Sequence, residues 1–164
     1  MDFPQTTDQQ FLAVSSVLTA FSETELQATG MAGTYWQTLV SVVGAAYAGD
    51  FLSQCAAAFA KSKTPEDLET QFRALIMKDA KCGPLAQNVI SMWYLGQWNQ
   101  LPPAWHDEFG TVFNDQTFIV SPDAYVQSLV WPAFGTHPQG AKGPGFGSWV
   151  EPPLVRPNTD APTP

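Results

Sequence analysis

Apolar positions recur at helical spacing through the first two-thirds of the chain. Phe11, Val14, Leu18 and Phe21, supported by Leu12 and Val17, keep the i, i+3, i+4 spacing of an amphipathic helix that begins near Thr7. Ser22-Glu23-Thr24-Glu25 then forms a capping box, in which the Ser hydroxyl serves one orphan amide and the Glu three residues later serves the cap amide. It predicts a short helix to about Ala28, ended by Gly30. From Gly33 to Ala48 the side chains are small and apolar, and Asp50 is placed to cap a further helix running to about Lys61, with Gly44 and Gly49 as weak points. Thr64-Pro65-Glu66-Asp67 starts another helix: Thr caps, Pro takes the first helical position, and the acids suit the helix dipole. Leu68, Phe72, Leu75 and Ile76 give its buried face. Cys82-Gly83-Pro84 stops that helix and starts the next, which Leu85, Val89, Met92, Trp93 and Leu95 define and which ends between Gly96 and Trp98.

After Leu101-Pro102-Pro103 the pattern changes. Trp105, Phe109, Val112, Phe113, Phe118, Ile119 and Val120 keep no long period, which predicts loops with a short extended piece. Ser121-Pro122-Asp123 restarts a helix carrying Tyr125, Leu129 and Val130, ended by Pro132. No internal repeat is present. The expected fold is mainly α: a compact helical domain over 1–130 and a long irregular Pro/Gly/aromatic arm over 131–164. Between Trp131 and Pro153 the arm holds four large aromatics, five glycines and five prolines but only two charges, Lys142 and Glu151. Its prolines and glycines exclude a helix or central strand, and a solvated linker would be charged and poor in aromatics. Its rings need burial, on the chain's own helices or on another protein. Arg156 to Pro164 is polar and proline-rich, which predicts a frayed end.

Composition narrows the partners. The 164 residues suit one domain, and only 13% are charged, about half the usual share. So much uncharged surface suits burial in a complex. The net charge of −8, with no basic patch, excludes binding a nucleic-acid backbone or anionic lipid head groups. The charge-free run from Leu26 to Gly49 holds too many Gln, Thr, Gly and Ala residues for a spanning helix, so no direct membrane span is expected. The opening Met1-Asp2-Phe3-Pro4 has no basic region, apolar stretch or twin-arginine pair. An export signal is therefore expected to be absent, trimmed or carried by a partner.

Residues for chemistry are scarce. His106 stands beside Asp107 and Glu108, but sequence neighbours on a helix do not face each other, and a surface loop cluster is expected there. His137, before Pro138, suits a backbone-capping or interface role better than catalysis. Gly143-Pro144-Gly145-Phe146-Gly147 has the glycines of a phosphate loop without the preceding strand or following helix, so those glycines are read as turns that let Phe146 and Trp149 dock. Among His106, His137, Cys55 and Cys82 no two have chelating spacing. Cys55 and Cys82 are open to two readings, a pair of buried thiols or a single disulfide. No catalytic, cofactor-binding or metal-binding residue is expected. In Met92-Trp93-Tyr94-Leu95-Gly96-Gln97-Trp98, a helix would put Trp93 with Gln97 on one face and Tyr94 with Trp98 on another. At least one of those faces is expected to meet the arm or a partner.

Several segments in order resemble a known family. VISMWYLGQW, Val89 to Trp98, is similar to the "ILxAWYxG" run of the small subunit of membrane-bound FAD-dependent sorbitol and sugar dehydrogenases. The family's closing Pro/Gly stretch, aromatic and "W-x-x-P-P" resemble Gly143, Pro144, Gly145, Phe146, Trp149, Pro152 and Pro153. Phe11 to Phe21 resembles its "F-x-x-L-S-x-x-L-T-G" start, and Tyr125 to Trp131 its "Y-x-x-x-L-x-W" segment. Two features depart from the pattern: the family's own twin-arginine signal is missing, and Gly135-Thr136-His137-Pro138 lacks the cysteine that some relatives carry before a proline.

The resemblance implies a non-catalytic helical subunit, with no cofactor of its own, bound to a large flavoprotein of the glucose-methanol-choline oxidoreductase type that holds FAD. It also implies a cytochrome c subunit, a periplasmic site peripheral to the inner membrane, and a part in the folding, stability and twin-arginine export of the large subunit. The expected interface is Trp93, Tyr94, Gln97, Trp98, Tyr125, Trp131, Phe134, His137, Phe146, Trp149, Pro152 and Pro153. Two other classes stand beside it: a cytoplasmic maturation chaperone for an exported redox enzyme, and a carbohydrate-binding module that stacks sugars on Trp98, Trp105 or Trp149.

Overall fold

Local capping chemistry sets the starts of two helices, at Ser22 and Thr64. The computed structural model describes residues 3–110, 112, 114–139 and 141, and it is mainly helical. The chain divides into two units, Met1–Val130 and Trp131–Pro164. In the first, α1 (Thr7–Thr19) buries Phe11, Leu12 and Val14 and stops at Ala20, whose φ of 61° lets its amide return to the Ser16 carbonyl. α2 (Glu23–Ala28) starts on the capping box: the Ser22 hydroxyl accepts from the Glu25 amide at 3.3 Å, and the Glu25 carboxylate accepts from the Ser22 amide at 2.9 Å. α4 (Pro65–Gln71) starts where Thr64 Oγ1 accepts from the Asp67 amide at 3.1 Å.

α3 (Ala32–Lys61) corrects the expected division of this stretch into two helices at Gly49 and Asp50. Helical geometry runs through both of those residues and breaks instead at Gly44, where φ 86° and ψ 156° are open only to glycine. By length and apolarity α3 would suffice to cross a bilayer. Tyr35, Leu39, Val43, Phe51, Cys55 and Phe59 are nevertheless packed inside the domain.

After α4 the chain widens into a π-helical turn, Phe72–Ile76, closed by the Met77 amide on the Phe72 carbonyl at 3.0 Å. Both Phe72 and Ile76 stay buried, as their helical spacing predicts. α5 (Cys82–Leu95) begins where Asp79 Oδ1 accepts from the amides of Lys81, at 3.0 Å, and Cys82, at 2.7 Å. It packs against α1 and α3 around an edge-on pair, Tyr35 and Trp93, with ring centroids 4.9 Å apart. Such a pair contributes about 1 kcal/mol beyond its buried area.

The region expected to be loops contains α6 (Pro103–Phe109), because Pro103 sits at the first helical position, where a missing amide costs nothing. The short extended piece is there: β1 (Gln97–Trp98) pairs antiparallel with β2 (Phe118–Ile119), matching Gln97 to Ile119 and Trp98 to Phe118. α7 (Pro122–Gln127) ends at Gln127 rather than at Pro132, since Ser128 turns out at φ −55°, ψ 133° while its hydroxyl bonds back to the Ala124 carbonyl at 2.7 Å. Pro132 lies instead within a further turn, α8 (Val130–Ala133). In the second unit that turn is closed by the Gly135 amide on Pro132, at 3.0 Å, and the Thr136 amide on Trp131, at 2.9 Å.

Candidate functional site

Three elements meet at the C-terminal end of α5. Gly96 closes the helix at φ 68°, and a Cβ placed on it would lie 2.5 Å from the Ala124 Cβ of α7. Its carbonyl accepts from the Val120 amide at 2.9 Å, and the Trp93 carbonyl accepts from the Leu129 amide, also at 2.9 Å. The segments around β2 and α7 are thereby tied to the end of α5. Around this junction Leu95 is 56% exposed, Phe118 36%, Ile119 59% and Tyr125 45%. Single exposed apolar residues are ordinary, but four large ones on elements tied to one junction make that end of α5 suited to association.

Beneath that face sits a buried carboxylate. Asp115, whose side chain is fully buried, accepts from Trp98 Nε1 at 2.7 Å, from the Leu101 amide at 2.8 Å and from His106 Nε2 at 2.8 Å. The His106 ring therefore carries its proton on Nε2 toward Asp115, and its Nδ1 has no hydrogen-bond partner among the described residues. α6, which bears His106, is pinned at both ends: Trp105 Nε1 donates to the Lys81 carbonyl at 3.0 Å, and the Tyr47 hydroxyl donates to the Phe109 carbonyl. An open cleft of about 550 Å³ lies between Gln100, Pro103, His106 and Val112, beside Asp115. Both oxygens of Asp115 are engaged, so the group works as a hub that closes the Trp98-to-Asp115 loop.

This geometry corrects several sequence expectations. Trp93 and Trp98, expected at a partner interface, are both fully buried. Trp93 lies between α1, α3 and α5, while Trp98 is turned inward by β pairing and held by Asp115. Sequence reasoning placed Trp98 on a helical face, whereas it lies on a strand with a side-chain period of two. Leu95, one of the apolar positions that define α5, is exposed. His106, expected in a surface loop, lies on a helix with its half-buried ring bonded to the buried Asp115. The residues missed by sequence reasoning are Leu95, Phe118 and Ile119 at the surface and Asp115 inside. An acid after the apolar run at Val112 and Phe113 was the one signal for Asp115.

The remaining expected interface residues are distributed as follows. Tyr94 is half-buried, with its hydroxyl on the Thr19 carbonyl at 2.8 Å, and Gln97 is half-buried with its amide on Asn99 Oδ1. Tyr125 is exposed at the junction. In the second unit Trp131 and His137 are half-buried, and Phe134 is 80% exposed. Phe146, Trp149, Pro152 and Pro153 lie outside the described residues. Cys55 and Cys82 are buried free thiols rather than a disulfide. Burial pushes both thiols up, with each further raised by neighbouring negative charge: Cys82 for Cys55, and Asp79 for Cys82, which reaches about 12. No group of three or more His, Cys, Asp or Glu side chains among the described residues is arranged to hold a metal ion.

Fold and site together define a mainly α domain with an apolar face around the end of its central helix. Comparison with protein-family models, with curated proteins and with solved structures found no match.

Proposed function

We propose that the chain is a non-catalytic accessory subunit. It binds the FAD-containing catalytic subunit of a periplasmic, membrane-bound sorbitol or sugar dehydrogenase, stabilises it, and assists its folding or twin-arginine export. The observation that carries this reading is the exposure of Leu95, Phe118, Ile119 and Tyr125 on elements tied to the end of α5. The segments that resemble the family's small subunits come together beside it. Tyr94 of Val89–Trp98 bonds to Thr19 and lies edge-on to Phe21, both from Phe11–Phe21. Leu129 of Tyr125–Trp131 bonds to Trp93. A partner that binds only the folded flavoprotein stabilises it by mass action, by about 2.7 kcal/mol at a concentration of 100 Kd. The hydride and electron chemistry stays with FAD and the cytochrome c subunit.

The test is affinity purification of the tagged full chain from its native cells. An FAD-containing polypeptide should co-elute, identified by its flavin absorbance and its mass. The double variant Leu95→Lys, Tyr125→Lys, with an unchanged melting temperature, should lose it. A folded double variant that retains the flavoprotein at wild-type yield overturns the reading, as does a wild-type chain that elutes without flavin.

A further inference from the structure

The face around the end of α5 also contains an open strand edge. β1 and β2 form a two-stranded antiparallel sheet, and the Val120 amide bonds to the Gly96 carbonyl, continuing the same register by one step. Antiparallel ladders alternate between hydrogen-bonded and non-bonded positions. Gly96 with Val120 is a bonded position, so Gln97 with Ile119 is a non-bonded one. The amide and carbonyl of Ile119 therefore point away from β1, to the outer edge of β2. No other strand among the described residues pairs with that edge.

Natural sheets guard such edges with lysine, proline or a covering element. This one bears Phe118 and Ile119, both exposed and on opposite faces of the strand. Phe118 lies opposite the buried Trp98 and Ile119 opposite Gln97. The elements that carry this edge bear no base: no Lys or Arg occurs between Lys81 and Lys142, while Asp123, on the α7 that follows β2, is exposed.

We infer that the outer edge of β2 receives an extended strand from the partner subunit, apolar at consecutive positions and ended by lysine or arginine. This rests on the accessory-subunit reading. Main-chain bonds to Ile119 hold the incoming strand, Phe118 and Ile119 grip its apolar side chains on either face, and the exposed Asp123 carboxylate favours its basic ends.

The experiment is amide hydrogen exchange on the purified flavoprotein complex and on the free chain, combined with Ile119→Pro. Proline at this position removes only the outward donor and leaves the ladder to β1 intact. The expected result is exchange at Ile119 slowed about tenfold or more in the complex. Protection should also appear in a partner segment with consecutive apolar residues and basic ends. Ile119→Pro should lose the complex while keeping the free chain's melting temperature, and Ile119→Val should retain it. Unchanged exchange at Ile119 in an intact complex, or an acidic protected segment, overturns strand addition and leaves the subunit reading standing. Retention of the complex by Ile119→Pro has the same meaning. Protection of Ile119 through self-association of the free chain assigns the edge to a second copy and overturns the inference. Absence of any flavoprotein complex overturns the subunit reading, and the inference with it.

Discussion

Replacing Asp115 by alanine removes the acceptor for Trp98 Nε1, the Leu101 amide and His106 Nε2 in one step. Two of those donors belong to fully or almost fully buried residues, where an unmet hydrogen bond costs more than a lost one contributes. We expect Asp115→Ala to lower unfolding stability by about 3 kcal/mol in urea titration, and His106→Ala by about 1 kcal/mol, since only the imidazole reaches partial solvent. Equal losses for the two variants would show that the His106 bond, not the carboxylate's bonds to Trp98 and Leu101, holds the loop. His106 and Asp115 also show why such a hub is hard to read from sequence. Its three donors lie 9, 14 and 17 residues from Asp115, and nothing in their spacing marks them as neighbours. The Ser22 and Thr64 caps, whose partners lie three residues away, are legible directly.

The same contrast holds between elements. α2 and α4 start where their caps predict, because a cap and its amide belong to one turn of chain. α6 and the break at Gly44 are not legible in periodicity: α6 is only seven residues long, and Gly44 and Gly49 look alike until packing selects one. The apolar face was half legible. Tyr125 was expected on it, but Trp98 was exchanged for Phe118 because the two-residue strand that follows Gly96 flips the side-chain period. Gly96 sets that change of direction, and its left-handed backbone touches α7 at Ala124. Gly96→Ala should therefore cost about 2 to 4 kcal/mol, combining the left-handed penalty for an L residue with an overpacked contact. Amide exchange should rise at Val120 and Leu129, whose bonds run to Gly96 and Trp93, while the amides of α1 keep their protection relative to global opening. A variant as stable as the wild type would remove Gly96 as the element that organises the face.

For the molecule as a whole, the helix packing that places this face keeps three titratable side chains uncharged. Cys55 and Cys82 are completely buried beside each other's potential charge, and Tyr35 is buried edge-on to Trp93. Burial raises all three groups, the thiols from an ordinary 9.0 and the phenol from 10.0, with Cys82 reaching about 12. A raised folded pKa favours the protonated native state. Its contribution is whole below the unfolded value and is lost as pH climbs from there toward the folded value. The loss thus begins near pH 9, where unfolded thiols ionise and folded ones do not, and it steepens above 10 as Tyr35 joins. Each such group removes up to about 1.4 kcal/mol per pH unit within its window. The melting temperature should hold steady from neutral pH to about 9 and then fall. In Cys55→Ala, Cys82→Ala the onset should shift toward 10, even though the cavities left behind lower the neutral-pH melting temperature. Native thiols should react with an aromatic disulfide reagent only at the rate of unfolding, whereas the denatured chain reacts at once. An unchanged onset in the double variant, or fast thiol labelling of the folded chain, would mean that the helices around α5 open often enough to solvate both cysteines, and the rigid junction at Gly96 would then be no fit platform for a partner.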